Sequence, residues 1–108
     1  MAAKTFNNQT GATFQITLFG RQGDQPFNQG STATFTLSPF QSLNVQYGDP
    51  ANPFLNGLSL FTTYQGDLYS KVQFVLQRES PLDNLLNTND TITITQVQTD
   101  FILSGSNL

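Results

Sequence analysis

The stretch Thr13-Phe14-Gln15-Ile16-Thr17-Leu18-Phe19 decides the fold. Phe14, Ile16 and Leu18 hold every second position and Gln15 and Thr17 the positions between. Successive side chains of an extended chain point to opposite faces, so this spacing gives one apolar and one polar face, whereas a helix would scatter the same residues around its axis. The alternation recurs outward from there. Ala33, Phe35 and Leu37 alternate with Thr32, Thr34 and Thr36, and Leu43, Val45 and Tyr47 with Asn44 and Gln46. Leu58 and Leu60 begin a run that continues to Tyr64. Val72, Phe74 and Leu76 mark the inward face of a fifth strand, and Ile92 and Ile94 open a sixth. Segments around Lys4–Asn8 and Phe101–Leu103 add an edge strand at each end. The expected fold is all-β: one antiparallel β-sandwich domain over residues 1–108, jelly-roll-like, with about eight strands.

The sixth run changes phase. Val97, Thr99, Phe101 and Leu103 take the parity opposite to Ile92 and Ile94. One inserted residue near Thr95–Gln96, or a strand passing from one sheet to the other, would restore a common inward face. Asn56-Gly57 carries the strongest short hairpin signal, and Gln65-Gly66-Asp67 reads as a second tight reversal. Gly20–Gly30 and Gly48–Pro53 read as surface loops. Segments 23–30 and 48–57 share a Gly-Asp…Pro-Phe…Gly skeleton, which reads either as related hairpins in pseudo-threefold arrangement, with Pro81-Leu82-Asp83-Asn84 in the third, or, the favoured reading, as the ordinary recurrence of turn residues between strands. Ser80-Pro81 followed by Leu82, Leu85 and Leu86 supplies an N-cap, a proline for the first helical position and helical apolar spacing, so a short helical turn is expected near 81–86.

Composition then limits function. The chain has no His, no Cys and no Trp, and only 10% of its residues are charged, against roughly 25% in an average domain. Thr, Ser, Asn and Gln together fill 44 of its 108 positions. Disulfides, and zinc, haem or iron–sulfur sites, which draw on Cys or His, are excluded. Four cationic side chains against seven acidic ones argue against a nucleic-acid surface. No stretch approaches the ~20 apolar residues of a membrane helix. The opening Met1-Ala2-Ala3-Lys4-Thr5-Phe6 lacks the apolar run of a secretory leader.

Catalytic chemistry finds little to work with. Serine or threonine nucleophiles lack a histidine base, and no sequence relation pairs Lys4 or Lys71 with a serine. The lone glutamate, Glu79, stands four residues before Asp83, where a helix start favours acidic side chains without any catalytic role. Phosphate-cradling glycine motifs are missing. The reading is a non-catalytic protein with no cofactor. Oxygen donors alone leave calcium as the one metal to consider, with Asp83 and Asp90 as candidates in the Asp/Asn cluster of residues 83–90. That cluster lacks the glycine and closing glutamate of an EF-hand, and ordinary turn chemistry accounts for it.

The outward strand faces say more. Thr32-x-Thr34-x-Thr36 and Thr91-x-Thr93-x-Thr95 form threonine ladders, and residues 5–20, 25–48 and 50–66 carry no charge at all. Uncharged amides and hydroxyls re-form their hydrogen bonds across a contact, and a surface of low net charge promotes association. Sheet edges are usually guarded by lysine, proline or inward charge, and such guards are scarce here. The sequence therefore reads as a structural subunit whose partners are copies of itself, assembling into a filament, ring or shell through strand edges and packed termini. Phe6, Phe101, Ile102 and Leu103 are its candidate interface residues. A carbohydrate-binding module or lectin is the alternative, with Tyr64, Asp67 and Tyr69 as a possible ligand loop; the lack of Trp counts against it. Ice binding through the threonine ladders ranks third. The composition as a whole resembles that of subunits of bacterial surface and extracellular assemblies and of viral structural proteins, which implies an extracellular or cell-surface location.

Overall fold

A computed structural model of the chain describes residues 2–22, 29–47, 54–64, 66–98 and 100–107. Eight strands and one helix follow in the order β1 (Ala2–Asn8), β2 (Phe14–Arg21), β3 (Gln29–Leu37), β4 (Ser42–Tyr47), β5 (Leu55–Tyr64), β6 (Asp67–Phe74), α1 (Pro81–Asn87), β7 (Thr91–Val97) and β8 (Asp100–Ser106). They form two four-stranded sheets, β4-β1-β7-β8 and β3-β2-β5-β6. The all-β sandwich of eight strands is as the alternation requires. Phe14, Ile16 and Leu18 lie fully buried, and aromatic pairs join the two sheets: Phe6 on β1 with Phe35 on β3, and Phe14 on β2 with Phe101 on β8. The buried apolar residues form one cluster.

The connectivity departs from the antiparallel neighbours of a jelly roll in one place. β1 and β7 run parallel, in register from Thr5↔Thr91 to Asn8↔Ile94. Parallel neighbours need a long connection, and the whole second sheet plus α1 provides it. β1 is consequently interior, between β4 and β7, instead of the edge strand its terminal position suggests; β8 does occupy an edge. A polar clamp fixes the corner after β1. The buried Asn8 side chain donates to the carbonyls of Ala12 (2.8 Å) and Ser38 (3.0 Å) and accepts from the Thr10 hydroxyl at 2.7 Å.

Local signals fare unevenly. Ser80 caps α1, its hydroxyl accepting from the Asp83 amide at 3.3 Å, and Pro81 opens the helix. The β5–β6 hairpin closes at Tyr64↔Asp67, with Gly66 at φ +84. Asn56-Gly57, by contrast, makes no turn and lies inside β5. Asn56 is buried, and its carbonyl accepts from the Val75 amide. Gly57 is needed where it stands because a Cβ there would run into the Gln73 carbonyl and come within 2.7 Å of the Phe74 ring. Gly57→Ala is expected to destabilise the protein by about 1–3 kcal/mol, since the obstruction is partly backbone and cannot swing away; urea unfolding measures it, and an unchanged midpoint would refute the account.

The phase change after Ile94 is neither a bulge nor a change of sheet. β7 ends at Val97 and turns directly into β8, so that Ile94 pairs with Leu103 and Gln96 with Phe101. An even inward parity on one strand thus meets an odd one on the next. Much of the two surface loops and of the Gly-Asp…Pro-Phe skeleton falls at 23–28 and 48–53, outside the described residues.

The largest reversal concerns β6. Val72, Phe74 and the following Leu76 point outward, at 54%, 38% and 70% exposure, while Tyr69, Lys71 and Gln73 face the β4-β1-β7-β8 sheet. Register decides this. β6 pairs with β5 so that Leu58 meets Gln73 and Leu60 meets Lys71. With Leu58 and Leu60 committed to the core, their cross-strand partners must turn inward as well.

Candidate interaction surface

The outer face of the β3-β2-β5-β6 sheet is built from four cross-strand rows. The first carries Thr32, Phe19, Gly57 and Phe74, the second Thr34, Thr17, Ser59 and Val72, the third Thr36, Gln15, Phe61 and Ser70, and Thr63 with Leu68 extends the last two strands. None of these side chains is ionisable. Toward β3 the face is hydroxyl-rich, with Thr17 and Thr34 hydrogen-bonded at 3.1 Å. Toward β6 it is apolar: Phe61, Leu68, Val72 and Phe74 are all exposed, Leu68 at 75%. Phe19 and Phe74 meet across Gly57 with ring centroids 4.9 Å apart. A lone exposed apolar residue is ordinary, but a contiguous apolar patch marks an interaction site.

The cations that would guard such a surface are largely withdrawn. Lys4 and Arg21 are buried, Lys71 is half-buried and Arg78 is exposed. Lys4 faces inward from β1 and donates to the Asn89 carbonyl; burial pushes its ammonium below the ordinary 10.5, with Asp90 opposing. Arg21 reaches the interior through register slips that follow Phe19 on both sides of β2, a usual way for an irregular strand to re-aim a side chain. Its guanidinium bonds Asp83 at 2.9 Å and the Leu55 carbonyl at 3.1 Å, with Asn56 at 3.4 Å. Burial alone would raise the Asp83 carboxyl. The Glu79 amide, Asn87 and Arg21 outweigh it and hold the group below 3.8.

Lys71 turns across to the other sheet, where its ammonium donates to the Phe101 carbonyl at 2.9 Å and lies 3.7 Å from Asp100. Tyr69 does likewise, its hydroxyl donating to Asp100 and its ring meeting Phe101 edge-on at 5.0 Å. Burial and Asp100 push the Tyr69 hydroxyl up, while that hydroxyl, then the Phe101 amide, hold Asp100 down. The bond between them keeps the proton on tyrosine and the charge on aspartate.

The sequence-derived residues separate accordingly. Phe6 and Phe101 are fully buried in the core of the chain, Leu103 packs against the same core, and of the four only Ile102, at 40%, is exposed. Tyr69 takes part in the inter-sheet contact, because its odd position in β6 faces inward. Asp67 is exposed at the hairpin, paired through backbone with Tyr64. Asp83 already holds a guanidinium, and Asp90 accepts from the Thr91 hydroxyl at 2.9 Å, so the two calcium candidates do not converge on a common point. The two threonine ladders lie on different sheets, β3 and β7, and on opposite outer faces, so they do not combine into one flat surface.

A shallow cavity of about 570 Å³ opens beside the apolar patch, lined by Thr13, Gln15, Thr36, Phe61 and Thr63 among others. Sequence reasoning missed both it and the patch, since both depend on which strands are neighbours. The outward period of β6 was the available signal, and it reads identically in either phase.

Comparison with family models, with curated proteins and with solved structures returns no match. Among the described residues, no helix is long and apolar enough to cross a membrane.

Proposed function

We propose that the chain is a non-catalytic structural subunit that assembles with copies of itself into a filament, ring or shell, in an extracellular or cell-surface setting. The observation that carries this reading is the uncharged outer face on which Phe61, Leu68, Val72 and Phe74 are left in water together. Two open sides support it further. β6 and β8 are edge strands on one side of the sandwich, and β3 and β4 on the other. Contacts on two different sides are what an open or ring-shaped polymer requires. Size-exclusion chromatography with light scattering, followed by negative-stain imaging of the same fractions, tests the reading. Species well above 11.9 kDa are expected, and a monomer at all concentrations would overturn it.

The cavity beside Phe61 favours a second reading, a site for a neutral carbohydrate. An exposed ring flanked by hydroxyls and an amide, without charge, suits the apolar faces and hydroxyls of a sugar. Binding on a glycan array that disappears in Phe61→Ala would establish it; absence of binding across neutral glycans would dismiss it.

A further inference from the structure

We infer that β6 is the seam of a two-fold homodimer, in which the β6 strands of two copies pair antiparallel about Ser70 and join two four-stranded sheets into one. The inference rests on the self-assembly reading and names its first contact. β6 is hydrogen-bonded to β5 on one side only, so its other edge presents backbone donors and acceptors ready for a further strand. It is also a strand whose apolar period points the wrong way for a monomer. Leu68, Val72 and Phe74 project to solvent while Lys71 and Gln73 face the sandwich interior. The usual edge guards are few on it: it has no proline, its one lysine is drawn across to the Phe101 carbonyl, and its one acid, Asp67, stands at the hairpin end.

Charge and register select a second copy as the occupant. The outer row that β6 brings to this edge, Leu68, Ser70, Val72 and Phe74, has no ionisable group, so it gives a charged partner nothing to pair with, whereas an identical strand lies beside it without repulsion on that face. Two chains each carrying a net charge of −3 approach at lowest cost where neither bears charge. The residues of β6 are self-complementary about Ser70. Leu68 falls opposite the partner's Val72, and Val72 opposite the partner's Leu68. On the inner face Tyr69 meets the partner's Lys71, and Asp67 the partner's Gln73. Centring the pairing on Lys71 would set two lysines against each other, which disfavours that register. An isologous contact of this kind closes at two copies, so larger assemblies would use the other faces.

The chain lacks cysteine, and this gives a clean test. Directly opposed residues in an antiparallel pair lie about 4.5–5.5 Å apart at Cα, within the span of a disulfide. Ser70→Cys is therefore expected to form a covalent dimer under mild oxidation, while Thr34→Cys on the opposite edge strand is not. Leu68→Lys is expected to raise the dimer dissociation constant by at least about tenfold, because it replaces both Leu68–Val72 contacts of the seam with a charge set against an apolar side chain, with circular dichroism and urea unfolding of the monomer unchanged. If assemblies form but Ser70→Cys crosslinks no faster than Thr34→Cys, or Leu68→Lys leaves the dimer intact, the seam is wrong and self-assembly stands. A wild-type protein that is monomeric at every concentration overturns both.

Discussion

Asp83→Ala is expected to cost about 3–5 kcal/mol of folding stability, the loss typical of removing one partner from a buried ion pair. The Arg21 guanidinium is enclosed by β2, β5 and α1. Without the carboxylate it retains the Leu55 carbonyl and the more distant Asn56 oxygen, which solvate a cation only in part. The damage extends to the helix. Asp83 also accepts from the Glu79 amide at 2.9 Å and from Asn87 at 2.7 Å, and Asn87 in turn accepts from the Leu55 amide at 2.7 Å. One carboxylate thus ties α1 to the starts and ends of two strands. Against a total stability of roughly 5–15 kcal/mol for a domain, the variant would be close to unfolding. Urea midpoints measure the effect. The double variant Arg21→Met/Asp83→Leu should recover much of the loss, because the cost lies in the stranded charge more than in the net worth of the pair. Recovery of nothing would assign the loss to the helix contacts instead. The pH dependence has a defined sign. The folded pKa of Asp83 lies below the 3.8 of the unfolded chain, so its contribution is complete above that value and disappears as pH falls through the lower folded value.

What could be read from the sequence follows from how local each cause is. Phe14, Ile16 and Leu18 announce a half-buried strand because alternation is a property of the strand itself, and the Ser80-Pro81 start of α1 is legible because a cap acts within one helical turn. The Gly66 reversal is equally local. Asn56-Gly57 misleads for the complementary reason. Its glycine answers a demand from Phe74 and Gln73 on a neighbouring strand, and nothing within the dipeptide separates that demand from the demand of a turn. Arg21 falls in the Gly20–Gly30 segment that reads as a surface loop, and Lys4 on a strand that reads as an edge, until the register slip and the interior position of β1 place them inside. β6 has a clear period but no sign: the register imposed by Leu58 and Leu60 decides which half faces out, and that register is a property of pairing. The candidate surface was therefore present in the sequence as a set of residues and absent from it as a face.

Phe101→Ala is expected to lose about 3–5 kcal/mol, as deletion of a fully buried phenyl ring does, even though the residue stands on an edge strand. Its ring is wholly buried, set edge-on to Phe14 at 4.9 Å and to Tyr69 at 5.0 Å, so truncation opens a cavity between the sheets where β8 closes over β6. Ile102→Ala, one residue along and pointing the other way, should change stability by no more than about 0.5 kcal/mol. The contrast between these neighbours separates two roles that composition alone leaves merged, since an apolar Phe-Ile-Leu run suits a core and an interface equally. Were Phe101 an assembly contact, its loss would leave the urea midpoint of dilute monomer in place and reduce only the size of the assembled species. A stability loss under 1 kcal/mol would therefore refute the core placement. The opposite result, a large loss for Phe101→Ala beside a near-neutral Ile102→Ala, would mean that this run earns its hydrophobicity within one chain. Any self-association would then have to be carried by side chains left outside the core, among them Leu68, Val72 and Phe74 on the outward row of β6.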